Sequence, residues 1–217
     1  MAVEAPKPLL ILGARSFARE VADLASDIDD FELKGFVENL QPERCAELLE
    51  GLPVFRVEEL ARLAPTHWGI CALGSTKRAV FIEHAAGLGL RFATLVHPSA
   101  RVSSRSAIGE GSIVCPGAQV ASHSRVGRHV LINRGALVGH NVETGECLTI
   151  GPGANIAGFC RIGSGSHIAT GAVLVEKIVI GCGSVVAAGA VVTRDVPDNV
   201  MVAGMPAVVV RRDVDGL

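Results

Sequence analysis

The chain lacks several features that would have decided its class at once. No apolar run is long enough to cross a bilayer, and the first residues do not follow the charged-then-apolar order of a secretory signal. Membrane insertion is not expected, and the expected location is cytoplasmic. Charge of one sign is missing too: 20 Lys and Arg stand against 22 Asp and Glu, a formal net charge of −2, so there is no electrostatic case for a nucleic-acid partner. The six cysteines (Cys45, Cys71, Cys115, Cys147, Cys160 and Cys182) include no CxxC pair, which points to reduced thiols rather than a disulfide framework. A complete GxGxxG is also absent.

What is present is a beat of six. An aliphatic residue returns at every sixth position from Val96 to Val192, and Thr144 is the single exception. Two residues before these slots, from Val102 onward, stands Ala, Ser or Cys at twelve of sixteen places, and seven of the residues just after the slots are Gly. Such a period fits neither the 3.6 of a helix nor plain alternation; it is the signature of a parallel β-helix. The large aliphatic side chain points into the prism, a small one fits beside it, and Gly relieves the corner. With a triangular cross-section one coil takes eighteen residues, and coils stack at about 4.8 Å.

Before residue 95 or so the pattern changes. An apolar run at Pro8–Gly13 leads into a helical stretch from Ser16 to Ile28, a strand follows at Phe31–Glu38, and then a polar segment. A helix is expected at Val57–Leu63, a strand at Trp68–Gly74, a helix near Lys77–Leu88 and a strand at Phe92–Val96. This alternation predicts a small parallel sheet flanked by helices. The expected organisation is an α/β Rossmann-like half domain over 1–95, an all-β parallel β-helix over 96–195, and a short capping tail over 196–217.

Gly13-Ala14-Arg15-Ser16 falls where the first strand turns into the first helix, a place whose free N–H groups and helix dipole suit a phosphate. Glu38 and Asn39 follow the second strand, and Gly74 and Ser75 follow a later one, all at the carboxyl edge of the expected sheet, where ligands bind. In the prism, His140 stands two residues after the inward Val138 and so points outward, either as an ordinary surface histidine or as a base. His123, seventeen residues earlier, should lie diagonally one coil away, with His129 and His167 on other edges. These spacings do not supply a zinc set, and no metal is expected.

Taken together, LLILGARSFAREV, FVEN, CALGSTKR, LVHPSARV, INRGALVGH and VAGMPA resemble the NeuD/PglD group of sugar acetyltransferases, within the hexapeptide-repeat acyltransferase superfamily. The likeness runs along nearly the whole chain. It implies a left-handed β-helix and a homotrimer with active sites in the grooves between prisms. It implies acetyl-CoA as donor and a nucleotide-linked amino-sugar as acceptor. By position, His140 matches the family's general base, with Asn141 in the place of its partner. Asn133 matches a residue facing the acceptor sugar, and Arg15, Ser16, Phe17, Glu38, Asn39, Gly74 and Lys77 match positions that hold the nucleotide-sugar. Thr149, Gly158, Thr170, Ala188 and Pro206, the last within Gly-Met-Pro-Ala, match the path of acetyl-CoA.

The departures from that pattern are informative. Family members usually carry Asp or Glu directly after the base, where this chain has Asn141; an amide orients an imidazole but does not offset its charge. Glu143 stands near enough in sequence to take over that role. Thr149 replaces a histidine that commonly meets the donor, and Ser16-Phe17 replaces a Gly-His in the first turn. The expected activity is acetyl-CoA-dependent N-acetylation of a nucleotide-linked amino-sugar for bacterial surface glycans. Two alternatives stand beside it: O-acetylation of a sialic acid or polysaccharide unit, for which a hydroxyl would need a stronger base, and a catalytically silent β-helix scaffold.

Overall fold

The structure, a computed structural model, describes residues 5–217. Contacts divide it into two units, one running to Gly74 and resuming over Arg78–His97, the other combining Ser75–Lys77 with Pro98–Leu217.

The first unit is a six-stranded sheet with helices. Its elements are β1 (Lys7–Leu12), α1 (Ser16–Ser26), β2 (Phe31–Glu38), β3 (Leu48–Leu49), β4 (Leu52–Arg56), α2 (Leu60–Leu63), β5 (Trp68–Cys71), α3 (Ala79–Gly87) and β6 (Arg91–Phe92). The spatial order is β3-β4-β2-β1-β5-β6, parallel except for the β3–β4 pair. Leu9, Leu10, Ile11 and Leu12 are fully buried, as a strand covered on both faces must be. Because β2 and β5 lie on opposite sides of β1, the chain reverses direction across the sheet at the end of β1, where Gly13 turns into α1. α1 buries Ala18, Val21, Ala22, Leu24 and Ala25, one stripe at helical spacing.

Two expectations need correction here. The stretch read as polar after β2 contains the β3–β4 hairpin, too short and too mixed in character to show as a period. The strand expected at Phe92–Val96 is two separate pieces, Arg91–Phe92 and Leu95–Val96.

The second unit is the prism. Each hexad contributes a two-residue strand, and the strands stack in three parallel ladders with a register of eighteen, as in Gln119↔Leu137, Arg125↔Glu143 and Leu131↔Thr149. We call the ladder through Leu131–Ile132 face I, that through Leu137–Val138 face II, and that through Glu143–Thr144 face III. The slot residues from Val114 to Val192 are buried apart from Thr144. At that exception Val126 and Thr144 make no rung; instead Gly127 donates its N–H to the Thr144 hydroxyl at 3.0 Å, and the hydroxyl donates to the Gly145 carbonyl.

The corners work differently from the expectation. The glycines just after the slots do not occupy left-handed backbone; they are forced by proximity. A Cβ on Gly109 would lie 2.5 Å from the Gly127 carbonyl carbon, and one on Gly127 would lie 2.2 Å from the Gly145 oxygen. The left-handed residue comes two positions later, at Gly117, Gly135, Gly153, Gly171 and Gly189 on the corner between faces I and II. The small inward residues do more than fit. Buried Ser124 donates to the Gly139 carbonyl (2.7 Å) and accepts the Val142 N–H (3.0 Å); Ser112 and Ser166 do the same one coil onward. Each hydroxyl therefore staples successive coils from within.

The phase breaks after Val192 because the last coil is two residues short: Val185 pairs with Met201, a separation of sixteen. The Asp195 and Asp198 carboxylates accept the N–H groups of Val179 and Cys182 that the missing coil leaves open. The hairpin Val200–Gly204 and Ala207–Arg212 then extends face I. Among the described residues no helix is long and apolar enough to cross a membrane.

Candidate active site

His140 sits on the corner between faces II and III, exposed, with its ring fixed by three neighbours. Its Nδ1 lies 3.1 Å from the Asn141 Oδ1. Phe159, one coil on, stands against it with ring centroids 5.0 Å apart and planes at 88°. Beneath the ring is Gly158, where a Cβ would come within 2.8 Å of both Cε1 and Nε2 of His140. A side chain at 158 would displace the imidazole, so the glycine is part of the seat. With the amide oxygen of Asn141 accepting from Nδ1, the Nε2 lone pair is left for another group. Glu143 does not serve as the partner: its carboxylate faces the Arg161 guanidinium at 3.8 Å on face III.

This corner carries side chains at its left-handed positions, as the corner between faces III and I does at His129 and Cys147 among its glycines. Where the corner between faces I and II uses glycine throughout, here the left-handed positions are His123, Asn141, Phe159 and Lys177, with φ from 57° to 65°. Left-handed backbone costs an L-residue roughly 1–2 kcal/mol, and for a ring as bulky as Phe159 it is an outlier. Strain of that kind gathers where side chains are needed. His123 lies as expected, diagonally one coil from His140: the register of eighteen puts it in the column of Asn141, with His140 one position to the side. Phe159 and the shaping role of Gly158 were missed in the sequence. A non-glycine at a left-handed corner is the signal that would have found Phe159.

The other expected residues fall elsewhere. Asn133, Thr170 and Ala188 lie on the corner between faces I and II, at the other end of the face II strands from His140. Asn133 Oδ1 accepts the N–H of Arg134. Thr149 does not join the His140 corner: nine residues on, it has passed to face I, where it is 3% exposed between Leu131 and His167. Pro206 lies in the exposed turn of the terminal hairpin. Within one chain the expected residues of the prism therefore fall on separate corners.

In the first unit, Arg15 precedes α1 with no side-chain cap, leaving the first N–H groups of the helix open beside Ser16 and Phe17. Glu38 is buried, and its Oε1 accepts the N–H groups of Asn39, Leu40 and Gln41 at 2.8–3.3 Å. That oxygen holds the loop, and only Oε2 is left for a ligand. Gly74 has open space where a Cβ would be. Lys77 reaches Asp215 at 4.0 Å, and the Leu217 oxygen accepts the Thr76 N–H (2.7 Å) and the Ser75 hydroxyl, within the second unit. Cys160 lines the interior, and burial pushes its thiol pKa up, which makes it a packing residue rather than a nucleophile. Among the described residues no group of three His, Cys, Asp or Glu side chains is placed to hold a metal ion.

No protein-family model and no curated protein matches the chain. Solved structures do. The acetyltransferase domain of PglB from Neisseria gonorrhoeae, in complex with acetyl coenzyme A, is 32% identical with a TM-score of 0.87, covering 94% of this chain and 100% of that one. The chain belongs to the NeuD/PglD-like sugar acetyltransferases of the hexapeptide-repeat superfamily. PerB from Caulobacter crescentus, in complex with CoA and GDP-perosamine, is 28% identical at a TM-score of 0.86 over 96% of this chain and 99% of that one. WeeI from Acinetobacter baumannii is 26% identical at 0.86, over 94% and 100%. As a member of this family the chain is an acetyl-CoA-dependent acyltransferase.

Proposed function

We propose that this acetyltransferase moves the acetyl group of acetyl-CoA onto the amine of a nucleotide-linked 4-amino-4,6-dideoxy sugar, in the cytoplasm, for bacterial surface glycans. The observation that carries the reading is the seating of His140: exposed, oriented through Nδ1 by Asn141 and cradled on Gly158, it keeps the Nε2 lone pair for a proton. Nε2 takes the proton from the amine as nitrogen attacks the thioester carbonyl carbon. The C–S bond then breaks, and the imidazolium returns the proton to the CoA sulfur, so no acyl-enzyme is needed. A neutral Asn141 offsets no imidazolium charge. That suits an amine, already a good nucleophile, better than a hydroxyl.

The likeness to proteins solved with CoA and GDP-perosamine supports the substrate class. In the proposed homotrimer the groove joins two corners, His140 from one prism facing Asn133, Thr170 and Ala188 from the next. That accounts for residues that one chain leaves on separate corners. In the test, thiol release from acetyl-CoA is followed with UDP- or GDP-linked 4-amino sugars. His140→Ala is expected to lose about 10² or more in kcat, the usual scale of general-base loss. The reading fails if no such sugar is acetylated, or if the variant matches wild type.

A further inference from the structure

A cleft of about 790 Å³ opens along the His140 corner and face III, and its charged lining is mostly cationic. Arg105, His123, Arg125, Arg161 and Lys177 line it against one carboxylate, Glu143. The cations are not equivalent. Arg161 faces Glu143 at 3.8 Å and Lys177 faces Glu176 at 4.0 Å, both on the C-terminal side of the cleft. Among the described residues no carboxylate comes within 4 Å of Arg105 or Arg125. Both are exposed, and they flank His123, itself held in left-handed backbone at φ 62° where the neighbouring corner uses glycine. The ladder sets Glu143 between Arg125 and Arg161, so one carboxylate serves two guanidinium groups and the excess positive charge extends to Arg105, on the N-terminal side of His140.

We propose that Arg105, His123 and Arg125 form an anion subsite that grips the diphosphate of the acceptor while its amine meets His140. The inference rests on the acceptor reading above and extends it to residues of the prism. Arg105, His123 and Asn141 stack in one column, so the subsite begins one coil from the His140 corner and reaches a second, about 5 and 10 Å away at the ladder spacing. That is the span of a hexose followed by a diphosphate. Guanidinium forks suit paired phosphate oxygens, and the His123 ring adds an N–H donor. The donor groups assigned to acetyl-CoA, from Gly158 to Ala188, lie in later coils, which leaves the early cations to the other substrate.

The experiment uses full-length protein labelled at histidine Cε1, with the His123 resonance assigned by His123→Gln. Sodium pyrophosphate should shift the His123 signal saturably, and Arg105→Ala/Arg125→Ala should weaken that binding about tenfold or more, as loss of charge-assisted contacts does. Lys177→Ala, whose charge faces Glu176 on the C-terminal side of the cleft, should bind pyrophosphate as wild type does. CoA at the same concentrations should leave His123 unmoved. The proposal is overturned if pyrophosphate does not move His123, if the double variant binds it as well as wild type, or if CoA shifts His123 equally. None of these readouts depends on acetyl transfer, so failure of the His140 mechanism would show separately, in the thiol-release assay.

Discussion

Gly158→Ala isolates the seat of the base from every other role of this corner. The added Cβ would stand 2.8 Å from Cε1 and Nε2 of His140 and 3.2 Å from Cδ2. Comfortable contact lies near 3.5–4.0 Å, so the ring must retreat by about 1 Å. An exposed imidazole can make that move at little cost in stability. The backbone at 158 is not left-handed, so alanine is tolerated and gains about 0.4–1 kcal/mol from the stiffer unfolded chain. For a chain of this length that raises Tm by up to about 4 °C. A base misplaced by about 1 Å costs about 10² in rate. Steady-state kinetics should show kcat down about a hundredfold, with the KM for acetyl-CoA unchanged because the 158 N–H survives, and calorimetry should show Tm level or higher. A kcat within twofold of wild type would refute the argument. A rise in acetyl-CoA KM alone would assign Gly158 to the donor instead.

Three further outcomes follow from the same geometry. Phe159→Gly relieves left-handed strain at φ 60° and should stabilise the protein by roughly 1 kcal/mol in urea unfolding, yet lower kcat by freeing the His140 ring; a variant that is both less stable and fully active would contradict this. Ser124→Ala strands the Val142 N–H and Gly139 carbonyl inside the prism and should cost about 1–3 kcal/mol, against near neutrality for a serine that only fills space. Glu146, hydrogen-bonded across one coil to Arg128 at 2.9 and 3.1 Å, has its pKa lowered chiefly by that bond. Its stabilisation is complete above the ordinary glutamate value of about 4.3 and fades as pH falls through the lower folded value. Glu146→Gln should therefore flatten the acid side of the stability profile slightly, both groups being half exposed.

The prism was legible because its cause is local and repeated. Each slot takes a large inward aliphatic, usually with a small residue two positions before it, and sixteen of seventeen slots keep that aliphatic in one phase. The ends of β1 and β2 were legible for a similar reason, since an apolar run followed by Gly13 and another followed by Glu38 and Asn39 mark turns by composition. The β3–β4 hairpin was not, because two strands of two and five residues show no period. Sequence also misassigned the post-slot glycines. Their reason is a backbone eighteen residues away, which no local rule contains.

The amino-acid sequence by itself determined the register, the outward position of His140 and the identity of the residue beside it, because a strict period converts position into direction. Only the tertiary structure decided what that histidine touches. Stacking brings residues 18 apart into contact, so Gly158 became its floor and Phe159 its wall, while Glu143 was drawn away to Arg161. It also separated Asn133 and Thr149 from His140, since six residues carry the chain to the next corner and nine carry it to the next face but one. Side chains meet through the coil spacing of about 4.8 Å, not through their distance along the chain.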